Sequence, residues 1–121
     1  MVRALFDTNI LIDYLNGLPE AKAELDLYAD KAISIITWME VQVGTSLLEQ
    51  SQVDQFLHRF ALLPIDPPVA ARAVVLRKAS KVKLPDAIIW ATAQTDSRLL
   101  VTRNSKDFSA TLPDVRVPYV I

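Results

Sequence analysis

Residues 2–15 read VRALFDTNILIDYL, and the fold turns on how this stretch is divided. Val2 to Phe6 is a short apolar run, which suits a buried strand. Asp7 follows at once. Ile10 to Leu15 then reads as a helix, stopped by Asn16-Gly17 with Pro19 beyond. A strand thus runs almost directly into a helix, with a carboxylate at the junction.

The same order recurs down the chain. Glu20 to Tyr28 reads as a short amphipathic helix and Ala32 to Ile36 as a second strand, β-branched and apolar. Thr37 is placed to cap a helix running to about Glu49, and Ser51 to Phe60 forms another. Leu62 to Ile65 is a short strand. Asp66-Pro67-Pro68 opens a helix from Val69 to about Ser80, and Pro85 opens the next, through Asp96, because the first turn has no use for the missing N–H. Leu99 to Thr102 is a strand. Val115 to Val120 is an edge strand, since Pro118 cannot donate to a ladder. Strands separated by helices predict a parallel α/β sheet covered on both faces. Strand order does not follow from this pattern.

Bulk properties narrow the class. The 121 residues are 51% hydrophobic, enough for one domain spanning residues 1–121 with a substantial core. Every long apolar stretch is broken by a charge, which argues against a membrane span, and MVRALFDTN lacks the pattern of a signal peptide. With no cysteine, disulfides and thiolate zinc sites are excluded; a reducing cytoplasm is compatible. The lone histidine, His58, rules out multi-histidine metal sites. A net charge of −1 gives no support to a general nucleic-acid binder. Locally, Arg77, Lys78, Lys81 and Lys83 form a basic run before Asp86, which suits either a solvated helix end or contacts to phosphate.

Four carboxylates stand beside element ends: Asp7, Glu40, Asp86 and Asp107. Each suits a local role. Asp7 fits an N-cap, Glu40 a capping box with Thr37, Asp86 a helix N-terminus, and Asp107 a turn with Asn104. Together they fall on the side of a parallel sheet where ligands gather. Grouped carboxylates repel, so a divalent cation would stabilise them, with Mg2+ or Mn2+ suiting all-oxygen ligation. Thr8 and Asn9 are placed to hydrogen-bond Asp7, and Thr102 and Asn104 to orient Asp107.

The stretches LFDTNILIDYL, IITWMEVQVG, KLPDAIIWATA and VTRNSKDF, in this order, resemble the PIN-domain family, and within it the VapC-type toxins of toxin–antitoxin pairs. The resemblance implies a three-layer α/β/α domain with a mainly parallel five-stranded sheet. It implies a Mg2+- or Mn2+-dependent endoribonuclease, commonly a homodimer, held inactive by a cognate antitoxin. Asp7, Glu40 and Asp86 match the family's metal-binding carboxylates and Thr8-Asn9 their usual companions. Asn104 stands where family members often carry an acid, so Asp107 or Asn104 completes the site, around one metal or two. RNA phosphates are expected at Arg77, Lys78, Lys81, Lys83 and Arg103. Two other readings share the residues: a catalytically weak interaction protein, and a metal-dependent DNA nuclease or phosphatase. Leu47, Leu48, Val53, Phe56 and Phe60 supply apolar surface divided between core and partner.

Overall fold

The computed structural model describes residues 1–121. Its elements are β1 (Arg3–Phe6), α1 (Thr8–Leu15), α2 (Pro19–Asp26), β2 (Asp30–Ser34), α3 (Ile35–Val43), α4 (Gln50–Leu57), β3 (Ala61–Leu63), α5 (Pro67–Ala79), α6 (Leu84–Thr95), β4 (Leu99–Val101) and β5 (Val115–Arg116). The five strands form one sheet in the order β3-β2-β1-β4-β5. All four pairings are parallel, with Leu5 opposite Ala32 on one side and Leu100 on the other.

Three layers follow from the two-residue period of the strands. Ala4, Phe6, Ile33 and Val101 face one helical layer, where they meet Ile10, Leu11, Leu25, Phe56 and Phe60. Leu5, Leu100 and Val115 face the opposite layer, against Val69, Ala73 and Leu76 of α5 and Ala87, Trp90 and Ala91 of α6. With both faces covered, the central strands need no polar alternation. No helix is long and apolar enough to cross a membrane.

Several element boundaries differ from those read in the sequence. The second strand stops at Ser34, not Ile36. Ser34 Oγ accepts the Ile36 N–H at 3.1 Å, so it, and not Thr37, caps α3. Ile35 and Ile36 are strand-favouring residues drawn into a helix by a good cap and tertiary packing. The helix expected to reach Glu49 ends at Val43, where Thr45 Oγ1 donates back to the Val41 carbonyl at 2.8 Å. Leu47 and Leu48 consequently lie in an exposed loop, while Val53, Phe56 and Phe60 enter the core. The last strand covers only Val115–Arg116, and Pro118 lies beyond it.

The chain winds from β1 outward through β2 to β3, then returns to lay β4 against the free side of β1. The carboxyl ends of β1 and β4 therefore flank the point where the winding reverses, the usual position of a ligand crevice in such sheets. At the opposite end of the strands, charges are neutralised. Arg98 is buried and ion-paired to Asp30 at 2.7 Å and Asp96 at 2.6 Å, with Arg3 joining the same two carboxylates.

Candidate functional site

Asp7 leaves the end of β1 and caps α1, its carboxylate accepting the Thr8 N–H at 2.8 Å. This local role coexists with a tertiary one, because the second oxygen accepts the Thr102 hydroxyl at 2.8 Å from the end of β4. Thr102 Oγ1 itself accepts from the Asn104 N–H and from Asn9 Nδ2, both at 3.1 Å. Two donors on one hydroxyl leave its single proton for Asp7. Thr102 was expected to orient Asp107. It holds Asp7 instead, because the hydroxyl of this residue after β4 is turned toward β1.

Glu40 projects from α3 and is bound by the neighbouring helix α1, not within a capping box. Thr8 Oγ1 donates to Glu40 Oε1 at 2.6 Å and stands 3.0 Å from Thr37 Oγ1. Thr37 is fully buried inside α3, so the residue read as a cap belongs to a hydroxyl chain leading from the core to Glu40. Its only sequence signal is the spacing of three residues to Glu40, which a capping box shares.

Asp86 lies in the first turn of α6, where the helix dipole favours a negative charge. Asp107 and Asn104 are paired in a turn: Asn104 Nδ2 donates to Asp107 Oδ2 at 2.8 Å, and the Asp107 N–H donates back to Asn104 Oδ1 at 3.2 Å. Asn104 is thereby engaged locally, while the Asp107 charge lies near enough to Asp86 to raise its pKa.

Electrostatics joins the four carboxylates. Burial, aided by the charges of Asp86 and Glu40, pushes the Asp7 carboxyl up to about 6, against the pull of its Thr102 and Thr8 hydrogen bonds. Burial also raises Asp86, and Asp107 and Glu40 add to the effect while Lys83 opposes it. None of the four takes part in an ion pair, in contrast to Asp13, Glu24, Asp30 and Asp96. As the side chains lie, no three carboxyl or imidazole groups are close enough to enclose a metal ion. The arrangement is a set of mutually repelling acids, not a closed cage.

The basic residues divide. Arg77 and Lys78 end α5 and are exposed, as are Lys81 and Lys83 in and after the following turn. Lys83, at the N-cap of α6, is the one whose charge reaches Asp86. Arg103 was expected to face RNA. Its guanidinium is held by Asp13, a buried residue whose place in an apolar helix gives no sign of a polar role, and the Arg103 side chain stays 35% exposed.

The model of the PIN domain matches residues 4–111, nearly the whole fold. This chain belongs to the PIN-domain family. Among solved structures, a toxin–antitoxin complex from Klebsiella pneumoniae is 50% identical, with a TM-score of 0.90 over 98% of this chain and 99% of the other. FitAcB from Neisseria gonorrhoeae is 27% identical, with a TM-score of 0.84 and the same coverage, 98% and 99%. DNA-bound VapBC from Salmonella typhimurium is 26% identical, with a TM-score of 0.77 over 96% of each chain. No curated protein sequence matches the chain. The resemblance drawn from the four motifs and the three-layer architecture both hold, with the sheet parallel throughout.

Proposed function

We propose that this PIN domain is a metal-dependent endoribonuclease that acts in the cytoplasm as the toxin of a toxin–antitoxin pair. The observation that carries the reading is that Asp7, Glu40, Asp86 and Asp107, none of them ion-paired, lie within electrostatic reach of one another at the switch point of the sheet. Mutually repelling carboxylates with no histidine or cysteine beside them fit a hard divalent ion such as Mg2+ or Mn2+. Asp7, Glu40 and Asp86 are the residues to hold it, which requires the partly exposed Asp86 and exposed Glu40 to close on the fixed Asp7. When bound, the ion would supply charge neutralisation at the scissile phosphate and a nucleophilic water.

The chain's own residues do the rest. Thr102 and Thr8 orient Asp7 and Glu40 through their hydroxyl protons. Asp107, buttressed by Asn104, would align the attacking water by accepting its hydrogen bond. Lys83, whose charge reaches Asp86, and Lys81 before it are suited to phosphates flanking the cleaved bond. Relatives described as toxin–antitoxin complexes support an antitoxin as partner of this chain. An antitoxin segment would cover apolar surface such as Val43, Leu47 and Leu48, which are 88, 94 and 97% exposed.

One set of incubations tests the reading: structured RNA, single-stranded DNA and a phosphomonoester, each with Mg2+, Mn2+ or EDTA, with Asp7→Ala as control. RNA cleavage that needs metal and Asp7 is expected, and inhibition by a cognate antitoxin. Turnover of DNA alone would replace the substrate, and no turnover of any kind would favour an interaction protein.

A further inference from the structure

Asp13 is 6% exposed and receives three hydrogen bonds from distant parts of the chain. Arg103 Nε and Nη2 donate to it at 2.6 and 3.3 Å, and the Tyr119 hydroxyl donates at 2.9 Å. Burying a carboxylate costs several kcal/mol unless it is paired, and a two-pronged guanidinium contact also fixes direction, which apolar packing does not. Asn9 lies one helical turn before Asp13, on the same face of α1. Its Oδ1 accepts the backbone N–H of Arg103 at 3.3 Å. The helix that begins with Asp7 thus grips Arg103 twice, by its backbone and by its side chain. On either side of Arg103 stand Thr102, bonded to Asp7, and Asn104, bonded to Asp107.

We propose that Asp13 is a positioning residue: through Arg103 it holds the segment from Thr102 to Asp107 in register with Asp7. A polar cavity of about 420 Å3 adjoins this clamp, lined by Asn9, Arg103, Asn104, Ser105 and Lys106 together with Val120 and Ile121. The segment therefore has open space to move into once the clamp is released. Tyr119 donates to the same carboxylate but makes no hydrogen bond to the segment.

The proposal rests on the nuclease reading for its kinetic consequence but not for its structural one, and the test separates the two. Asp13→Asn, Arg103→Gln and the double variant are compared with Tyr119→Phe, all assayed well below their melting temperatures. Asp13→Asn and Arg103→Gln are each expected to lower kcat on RNA about 10- to 100-fold with KM little changed. The double variant should lose no more than either alone, since both break the same ion pair. Tyr119→Phe should lower the melting temperature yet keep kcat. Amide hydrogen exchange gives a second readout: Arg103 to Phe108 should exchange faster in Asp13→Asn while β1 and α6 stay protected. Unchanged exchange in that segment overturns the proposal, as does additive loss in the double variant. Should the wild-type protein cleave no RNA, the nuclease reading fails while the exchange measurement still decides the role of Asp13.

Discussion

At the scale of single residues, Asp7 is the acid most perturbed by its surroundings. Its folded pKa of about 6 lies above the ordinary 3.8. The fold thus favours the neutral carboxyl. That contribution to stability is fully present below the ordinary value, declines as pH rises, and is lost above the folded one. The difference of roughly two units corresponds to about 3 kcal/mol. In EDTA at about pH 8, Asp7→Asn is therefore expected to be more stable than the wild type by up to that amount. The advantage should disappear near pH 4, and urea titrations at the two pH values measure it. Glu40 depends on a neighbour in a different way. Thr8→Val removes the hydroxyl that donates to it at 2.6 Å, and a loss of about 10- to 100-fold in RNA cleavage is expected.

At the scale of elements, α3 and the start of α6 decide how the acids are presented. Ser34 caps α3 and sets the turn from which Glu40 reaches Thr8. Ser34→Ala should cost about 1 kcal/mol of stability, readable as a shifted denaturation midpoint. The basic stretch ahead of α6 meets the carboxylates only through Lys83. Lys81→Ala and Lys83→Ala together should weaken RNA binding. The dependence of log Kd on log salt should fall by about one for each phosphate that is no longer neutralised. An unchanged salt slope would assign this run to an ordinary solvated helix end.

At the scale of the whole molecule, charge is sorted between the two ends of the sheet. The amino end buries Arg98 among Asp30 and Asp96, whereas the carboxyl end gathers Asp7, Glu40, Asp86 and Asp107, none of them ion-paired. A protein organised this way should gain stability from an ion that binds only the folded state. Mg2+ or Mn2+ at about 100 times its Kd should add about 2.7 kcal/mol, seen as a rise in Tm that Asp7→Ala lacks. Equal shifts in both proteins would place the ion elsewhere. A solution mass at working concentration tests the homodimer expected from the family, and a strict monomer would defeat it.

The sequence by itself determined which residues are available and roughly where each element lies. The apolar runs, the Pro-opened α5 and α6 and the junction at Asp7 were legible because they rest on interactions local in the chain. So were the four acids as candidates, although Glu40 lies inside α3 and not at its end. Strand order was not legible, since β1 meets β4 over more than ninety residues and nothing local encodes that pairing. Similar distances hid the assignments of Thr102 to Asp7 and of Arg103 to Asp13, and a separation of about thirty residues hid those of Thr8 to Thr37 and Glu40. A hydroxyl, a carboxylate or a guanidinium reads alike as cap, surface group or ligand. Only the packing of layers brings it within hydrogen-bond reach of one partner and out of reach of the rest.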